Sequence, residues 1–243
     1  MPLSLTSRRV LITGAAGGVG HALAEKMQEM GAQLFLTDRT DTALAEIAGE
    51  LSSRVQWHAA DLADAGGVRE VFDRLDATLG GLDIMVACAG IGSEPLMAFS
   101  DESWRDVIGS NLVSYVACTR AAVERIRHAP RGTGSIVLLG SISVHIKAVG
   151  ESVYNAAKGG VASFAETLRK ELIADAIRVT LIEPGAIGTG MQSFAPPERE
   201  RLIAAHKLLP PAEVADAVIF AVTRPVGVDC VTLRIEPMDQ KIW

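Results

Sequence analysis

RRVLITGAAGGVGHALAEKMQEMG, residues 8–31, is the stretch on which the fold turns. Arg8 to Thr13 is a short, mostly apolar run with the character of a strand. HALAEKMQEMG is an amphipathic helix closed by Gly31. Between them lies the glycine-rich turn TGAAGGVG, Thr13 to Gly20. Strand, glycine turn and helix in that order form the context a dinucleotide fingerprint requires. Gly14 suits the tight turn, Gly18 lets the backbone approach a pyrophosphate, and Gly20 lets the helix pack closely on the strand. Gly17 and Val19 complete the turn, and the free N–H groups at the helix start face the phosphates. A plain strand-to-helix turn would carry the same glycines, so the rest of the chain has to decide.

The next strand, Gln33 to Thr37, ends in Asp38. An acidic residue about 20 residues past the glycine turn accepts hydrogen bonds from the adenosine ribose and repels a 2′-phosphate. Arg39 follows it, and an arginine there is able to bind that phosphate. The turn itself carries Ala15, Ala16 and Gly17, with no basic side chain. NAD is therefore favoured over NADP.

Beyond this point strand and helix patterns alternate. Strands are expected near 8–13, 33–37, 54–58, 82–88, 134–140, 177–183 and 231–236. Helices are expected near 19–30, 41–51, 65–79, 101–128, 153–174 and 211–223. Runs such as DIMVACA and GSIVLLG have no polar alternation, which fits a parallel sheet covered on both faces. Right-handed crossovers then give a single α/β domain over 1–243, a Rossmann-type doubly wound parallel sheet of about seven strands with helices on both faces. One long irregular stretch, about 185–210, holds PPERERLIAAHK, a candidate short helix. Loops of that length are usually functional, and 188–210 is expected to bind substrate as a lid.

The 243 residues suffice for one well-packed domain and not for two ordinary ones. A net charge of −6 and the lack of any basic run argue against nucleic acid or an anionic membrane as partner. MPLSLTSRRV has no apolar signal core, so a cytoplasmic location is expected. Cys88, Cys118 and Cys230 are odd in number and far apart, and the five histidines are scattered, so no metal site is expected.

SVYNAAKGG sets Tyr154 four residues before Lys158, about one helical turn, so both side chains leave one face of a helix. An ammonium beside a phenol stabilises phenolate, which lets a group of ordinary pKa ~10 act as a base nearer neutrality.

With these residues in place the chain resembles the short-chain dehydrogenase/reductase family over nearly its whole length. The resemblance rests on TGAAGGVG, Asp61 in AADL, ACAG at 87–90, Asn111 in NLVS, Ser141 in LGSIS, Tyr154 with Lys158, and PGAIGT at 184–189. Ser141 lies thirteen residues before Tyr154, as the family has it. The resemblance implies that Tyr154 is the acid/base, that Lys158 lowers its pKa and holds the nicotinamide ribose, and that Ser141 polarises the substrate oxygen. Asn111 would position a water linking Lys158 to solvent. Asp61 and Leu62 would meet the adenine, and Ala89, Gly90, Pro184 and Gly185 would line the cofactor. Ile187 and Thr189 would contact the carboxamide. The implied activity is NAD(P)-dependent hydride transfer between the cofactor and a small secondary alcohol or ketone.

The chain departs from the family in three places. Ala87-Cys88 stands where Asn-Asn is usual, so some stability of the central strands must come from elsewhere. Glu183 precedes Pro184 where Asn is frequent. The ending RPVGVDCVTLRIEPMDQKIW lacks the common glycine-rich form and is similar to a branch acting on small hydroxy acids and related alcohols. Substrate contacts are expected from Ser141, Ser143, His145, Ile146 and Tyr154, from Ser93 and Glu94, and from Met191, Gln192 and Phe194. No arginine stands at an obvious pocket position, so a neutral alcohol or ketone fits best. A catalytically inactive nucleotide sensor or scaffold of the same fold is the alternative. Helices 101–128 and 153–174 carry apolar residues on more than one face (Val113, Val116, Val123 and Ile126; Val161, Phe164 and Leu168), and the resemblance implies a homotetramer packed through them.

Overall fold

The computed structural model describes residues 1–52, 54–130 and 133–240. The last three residues of the unusual C-terminal ending lie outside the described residues. The strands are β1 (Arg9–Thr13), β2 (Gln33–Asp38), β3 (Gln56–Ala59), β4 (Ile84–Ala87), β5 (Ser135–Leu139), β6 (Arg178–Pro184) and β7 (Thr232–Ile235). They form one seven-stranded parallel sheet in the order β3-β2-β1-β4-β5-β6-β7. The helices are α1 (Gly18–Glu29), α2 (Asp41–Glu50), α3 (Ala65–Leu79), α4 (Asp101–Ile108), α5 (Ser114–Ile126), α6 (Ser143–Ile146), α7 (Ser152–Glu171), α8 (Pro196–Ala204) and α9 (Pro211–Val222).

Alternate residues of each strand feed opposite cores, as the pleat dictates. Leu11, Phe35, Met85, Ile136 and Leu181 face α3, α5 and α7, where they meet Phe72, Cys118, Val161 and Leu168. Val10, Ile12, Leu36, Val86, Val137 and Ile182 face α1 and α9, where they meet Leu23, Met27, Val214 and Val218. Each fully buried aliphatic side chain contributes roughly 1.5–3 kcal/mol, which is why the strand runs are apolar throughout. β1 pairs with β2 on one side and β4 on the other, so the chain leaves the centre in both directions. That reversal opens a crevice at the carboxyl ends of the strands.

The helix expected over 101–128 is not continuous. Between α4 and α5 the chain takes a π-helical turn, Gly109–Val113. The Asn111 amide donates to Val107 O at 2.9 Å and Ile91 O at 3.0 Å, and Ser114 Oγ donates to Ser110 O at 2.7 Å. One inserted residue leaves the apolar periodicity nearly intact, so the pattern did not reveal it. Short α6 and a 3₁₀ turn at Leu96–Ala98 also lie outside the expected elements. Where the Asn-Asn pair is absent, the turn after β4 is held to β1 by its backbone: Thr13 O accepts from Cys88 N at 3.2 Å and Thr13 Oγ1 from Ala89 N at 3.4 Å.

The expected second apolar face is smaller than the sequence implied. Val123, Ile126, Val161 and Leu168 belong to the core, while Val113 and Val116 are exposed. No described helix is long and apolar enough to cross a membrane.

Candidate active site

A cleft of about 890 Å³ opens where β1, β2, β4, β5 and β6 end. Its floor is the glycine turn. Gly14 has φ +66°, and a Cβ there would come within 2.5 Å of Ala89 N and Cα. A Cβ on Gly18 would stand 2.9 Å from Thr189 Cγ2. A Cβ on Gly20 would strike the Gly14 carbonyl, which keeps α1 tight against β1. No described side chain caps α1 at Gly17, so the first N–H groups of the helix are left for whatever lies in the cleft. A cradle that any side chain would fill, ending on an uncapped helix, fits the pyrophosphate of a dinucleotide.

Gly14, Gly17, Gly18, Val19, Gly20, Asp38, Arg39, Asp61, Leu62, Ala89, Gly90, Tyr154, Lys158, Pro184, Gly185, Ile187 and Thr189 all line this cleft. Asp38 Oδ2 accepts from Ala16 N at 3.0 Å and its Oδ1 from Arg39 N at 2.7 Å. The Arg39 guanidinium is turned to Ser110 Oγ at 2.8 Å. The carboxylate therefore braces the glycine turn and also stands at the cleft, while the arginine is held aside.

Ser141, Ser143, Tyr154 and Met191 line the other end. α7 projects Tyr154 and Lys158 from one face, and the end of β5 brings Ser141 to the phenol. Ser141 Oγ also accepts from Ser143 N at 3.1 Å, which fixes its orientation. Lys158 is 3 % exposed and donates to Leu139 O at 2.8 Å and Tyr115 Oη at 3.1 Å. Burial pushes this ammonium down to about 7. Burial pushes the Tyr154 phenol up to about 12; its hydrogen bond with Ser141 pulls downward, and the nearby Glu151 adds to the rise. In this arrangement desolvation outweighs the lowering of the phenol expected from Lys158, because both groups have lost water and the ammonium directs its protons elsewhere.

Asn111 lies behind the cleft wall, fully buried on the π turn. Its Oδ1 has no hydrogen-bond partner among the described residues. That oxygen points toward Gly90: a Cβ there would sit 2.6 Å from it and 3.8 Å from Lys158 Nζ. Asn111 thus belongs to the same neighbourhood as the lysine.

Three expected substrate residues are not cleft residues: Glu94 is exposed and outside the lining, although its neighbour Ser93 is part of it, and His145 and Phe194 are engaged or turned elsewhere. His145 Nε2 pairs with buried Glu183 Oε1 at 2.9 Å, and Arg234 holds the other carboxylate oxygen at 3.2 Å. Phe194 is 41 % exposed and outside the lining. Glu151 and Tyr115 were missed. Glu151 carried a usable signal, since it stands three residues, about one turn, before Tyr154.

Comparison with known proteins agrees with this geometry. Residues 8–200 match the family described as short chain dehydrogenase. A cis-4-hydroxycyclohexanecarboxylate dehydrogenase of Sinomonas cyclohexanicum is 32% identical, over 89% of this chain and 90% of its own. A 3-ketoacyl-(acyl-carrier-protein) reductase from Brucella melitensis, solved with NADH, superimposes with a TM-score of 0.86 at 27% identity, covering 97% of this chain and 99% of that one. An alcohol dehydrogenase from the archaeon Thermococcus sibiricus, solved with 5-hydroxy-NADP, gives 0.85 at 26% identity, covering 97% and 98%.

Proposed function

The chain belongs to the short chain dehydrogenase family, and on that premise we propose that it interconverts a small secondary alcohol and its ketone with NAD as the preferred cofactor. It is an oxidoreductase acting on CH–OH groups with a nicotinamide cofactor. The observation that carries the finer reading is the grouping of Ser141, Tyr154 and Lys158 at one end of a cleft whose other end is the glycine cradle and Asp38.

When bound, the cofactor supplies the hydride acceptor or donor. The glycine turn and the start of α1 would hold its pyrophosphate, Asp38 its adenosine ribose, and Lys158 the second ribose. Tyr154 Oη takes the proton of the substrate hydroxyl, or returns one to the ketone oxygen. Ser141 Oγ holds that same oxygen in place. Lys158 relieves charge on the phenol, and the free Asn111 Oδ1 would accept a hydrogen bond from a water linking Lys158 to solvent. Asp38 held by Ala16 N, with Arg39 drawn off to Ser110, supports NAD over NADP.

The segment 188–210 acts as a lid. Gly190 and Met191 are exposed, whereas Leu208 and Leu209 are buried and Gly188 N donates to Leu209 O at 2.9 Å, which ties the two ends of the segment together. The ends are therefore anchored, and the stretch from Gly190 is the part that would move. Exposed Val113 and Val116 support association of subunits as a homotetramer. The alternative of an inactive nucleotide sensor drew on the missing Asn-Asn turn. Cys88 N and Ala89 N both donate to Thr13, so the turn is held to β1 without those amides, and the grouping of Ser141, Tyr154 and Lys158 favours the enzyme.

A panel of secondary alcohols assayed for NADH formation at 340 nm tests the reading. Cofactor-dependent turnover of at least one is expected. Tight NAD binding with no turnover across a broad panel, and none of ketones in the reverse direction, would favour the sensor.

A further inference from the structure

One carboxylate at the substrate end of the cleft has no partner. Glu151 lines the wall together with Ser143, Ile146, Ala148 and Tyr154. Its backbone is fixed: Glu151 N donates to Ala148 O at 3.3 Å, and Glu151 O accepts from Asn155 N at 2.7 Å. Its side chain makes no hydrogen bond or ion pair with any described residue. Burial raises its pKa above the ordinary carboxyl value, the mark of a charge that has lost water without gaining a donor. A second orphan lines the same cleft. Ser143 is 4 % exposed, and its Oγ has no partner among the described residues.

The lining cations are Arg39 and Lys158. Arg39 follows the end of β2 and is bound to Ser110, and Lys158 is spent on Leu139 and Tyr115. No lining cation is therefore left to receive a substrate carboxylate beside Glu151. Ile146, Ala148 and Met191 supply apolar surface for a carbon frame.

We infer that Glu151 and Ser143 form a subsite for a second hydroxyl of the substrate, a few bonds from the reacting carbon, and that Glu151 turns away substrates with a carboxylate in that place. The inference rests on the alcohol-dehydrogenase reading above and narrows it to diols and polyols or their hydroxyketones. The second hydroxyl donates to Glu151 and accepts from Ser143 Oγ, which satisfies both orphans at once. A site built around such groups discriminates strongly against an analogue that leaves them unpaired. The substrate class so defined differs from the hydroxy acid in the name of the Sinomonas relative.

The test is a ligand-observed NMR titration of the full chain saturated with NADH, a state that binds alcohols without turning them over. The probes share one ring: cyclohexanol, cyclohexane-1,2- and 1,4-diol, and 2- and 4-hydroxycyclohexanecarboxylate. A diol is expected to bind about tenfold or more tightly than cyclohexanol, the size of a hydrogen bond to a charged group. Both acids are expected to bind more weakly than cyclohexanol. Glu151→Ala should erase the diol advantage, Glu151→Gln should admit the acids, and Ser143→Ala should weaken the diol alone. NADH affinity, read by fluorescence, should stay within about twofold in each variant, since none of these side chains is asked to hold the cofactor. Acids binding as well as diols, no diol binding, or a diol preference that survives Glu151→Ala overturns the inference. Turnover is a separate reading: the binding order with no NADH formed in the alcohol assay would sink the dehydrogenase function and leave the subsite standing.

Discussion

Lys158 Nζ donates to Tyr115 Oη at 3.1 Å, so the buried ammonium is held by a second tyrosine besides its neighbour Tyr154. Tyr115 is 1 % exposed and stands in the first turn of α5, four residues after Asn111. The Lys158 Nζ lies 4.7 Å from the Tyr115 ring centroid, against 5.8 Å for Tyr154. The second phenol thus fixes where the ammonium sits.

Tyr115→Phe keeps the ring and removes the acceptor, leaving Lys158 with Leu139 O. Loss of one partner for a buried charge costs ~1.5–3 kcal/mol, so kcat/KM is expected to fall by roughly tenfold or more. The charged lysine becomes harder to keep, so its pKa drops below about 7, and the deficit grows as pH rises toward 7 and levels off above it. Rate profiles between about pH 5 and 8 check this; a deficit constant over that range would mark Tyr115 as packing only.

Lys158 also ties stability to pH. Its folded value of about 7 lies below the ordinary 10.5, so between those two values the unfolded chain binds more protons and stability rises with pH. Below pH 7 the cost of burying the cation is present in full. Lys158→Met removes that cost. The Tm difference, variant minus wild type, should therefore fall by at least about 5 °C between pH 6.5 and 10.5. A difference independent of pH in calorimetry would mean the lysine is not desolvated as described.

Tyr154→Phe should lower kcat by about 10²–10⁴-fold, the span of general acid–base terms, with NAD affinity within a few-fold. Stopped assays with excess enzyme will show it. Retention of more than about a tenth of wild-type activity would remove Tyr154 from the proton-transfer role.

Asp38→Ala takes an acceptor from the ribose and a brace from Ala16 N. The kcat/KM for NAD is expected to drop about tenfold or more, while NADP gains relative to NAD because Arg39 remains. Paired assays of both cofactors decide. A wild type that already uses NADP about tenfold better would show that Arg39 dominates the site.

Hydrogen exchange should separate the stretch from Gly190 from the anchored ends of the 188–210 segment. Amides near Gly190–Phe194 are expected to exchange quickly in the free protein and to slow when cofactor and substrate are both bound. Leu208 and Leu209 should be slow in both states, since they are buried. Because Met191 lines the cleft and Phe194 does not, Met191→Ala should change substrate preference more than Phe194→Ala. Equal protection with and without ligands would make the segment a fixed wall.

The fold was legible because runs such as RVLIT and IVLL are apolar on both strand faces, a pattern that parallel sheets need. The cofactor end was legible because phosphate binding demands glycine where a side chain would collide, and only a few spacings meet that demand. What the sequence hid depends on distant pairing. His145 reads as a loop histidine until Glu183, 38 residues on, and Arg234, 89 residues on, are brought beside it. Tyr115 reads as one more core aromatic until Lys158 arrives from 43 residues away. Phe194 was read as lid cover from its hydrophobicity alone, and hydrophobicity does not say which way a loop side chain turns.

The π turn at Gly109–Val113 bears on how this chain tolerates changes of length. Removing one residue there, Leu112 for instance, would let the backbone close into a continuous α-helix with its hydrogen bonds intact. Because the wide turn is what absorbs the extra residue, the helix that follows would keep nearly its present direction about the axis. Tyr115, Cys118 and Ala122 would still face the sheet, while Asn111 would lose the wide turn from which its amide reaches Val107 O and Ile91 O. A one-residue deletion that most helices pass on to the next loop would be taken up inside this one. Its cost would fall on the site and not on the core: the shortened chain is expected to fold and to lose the placement of Asn111.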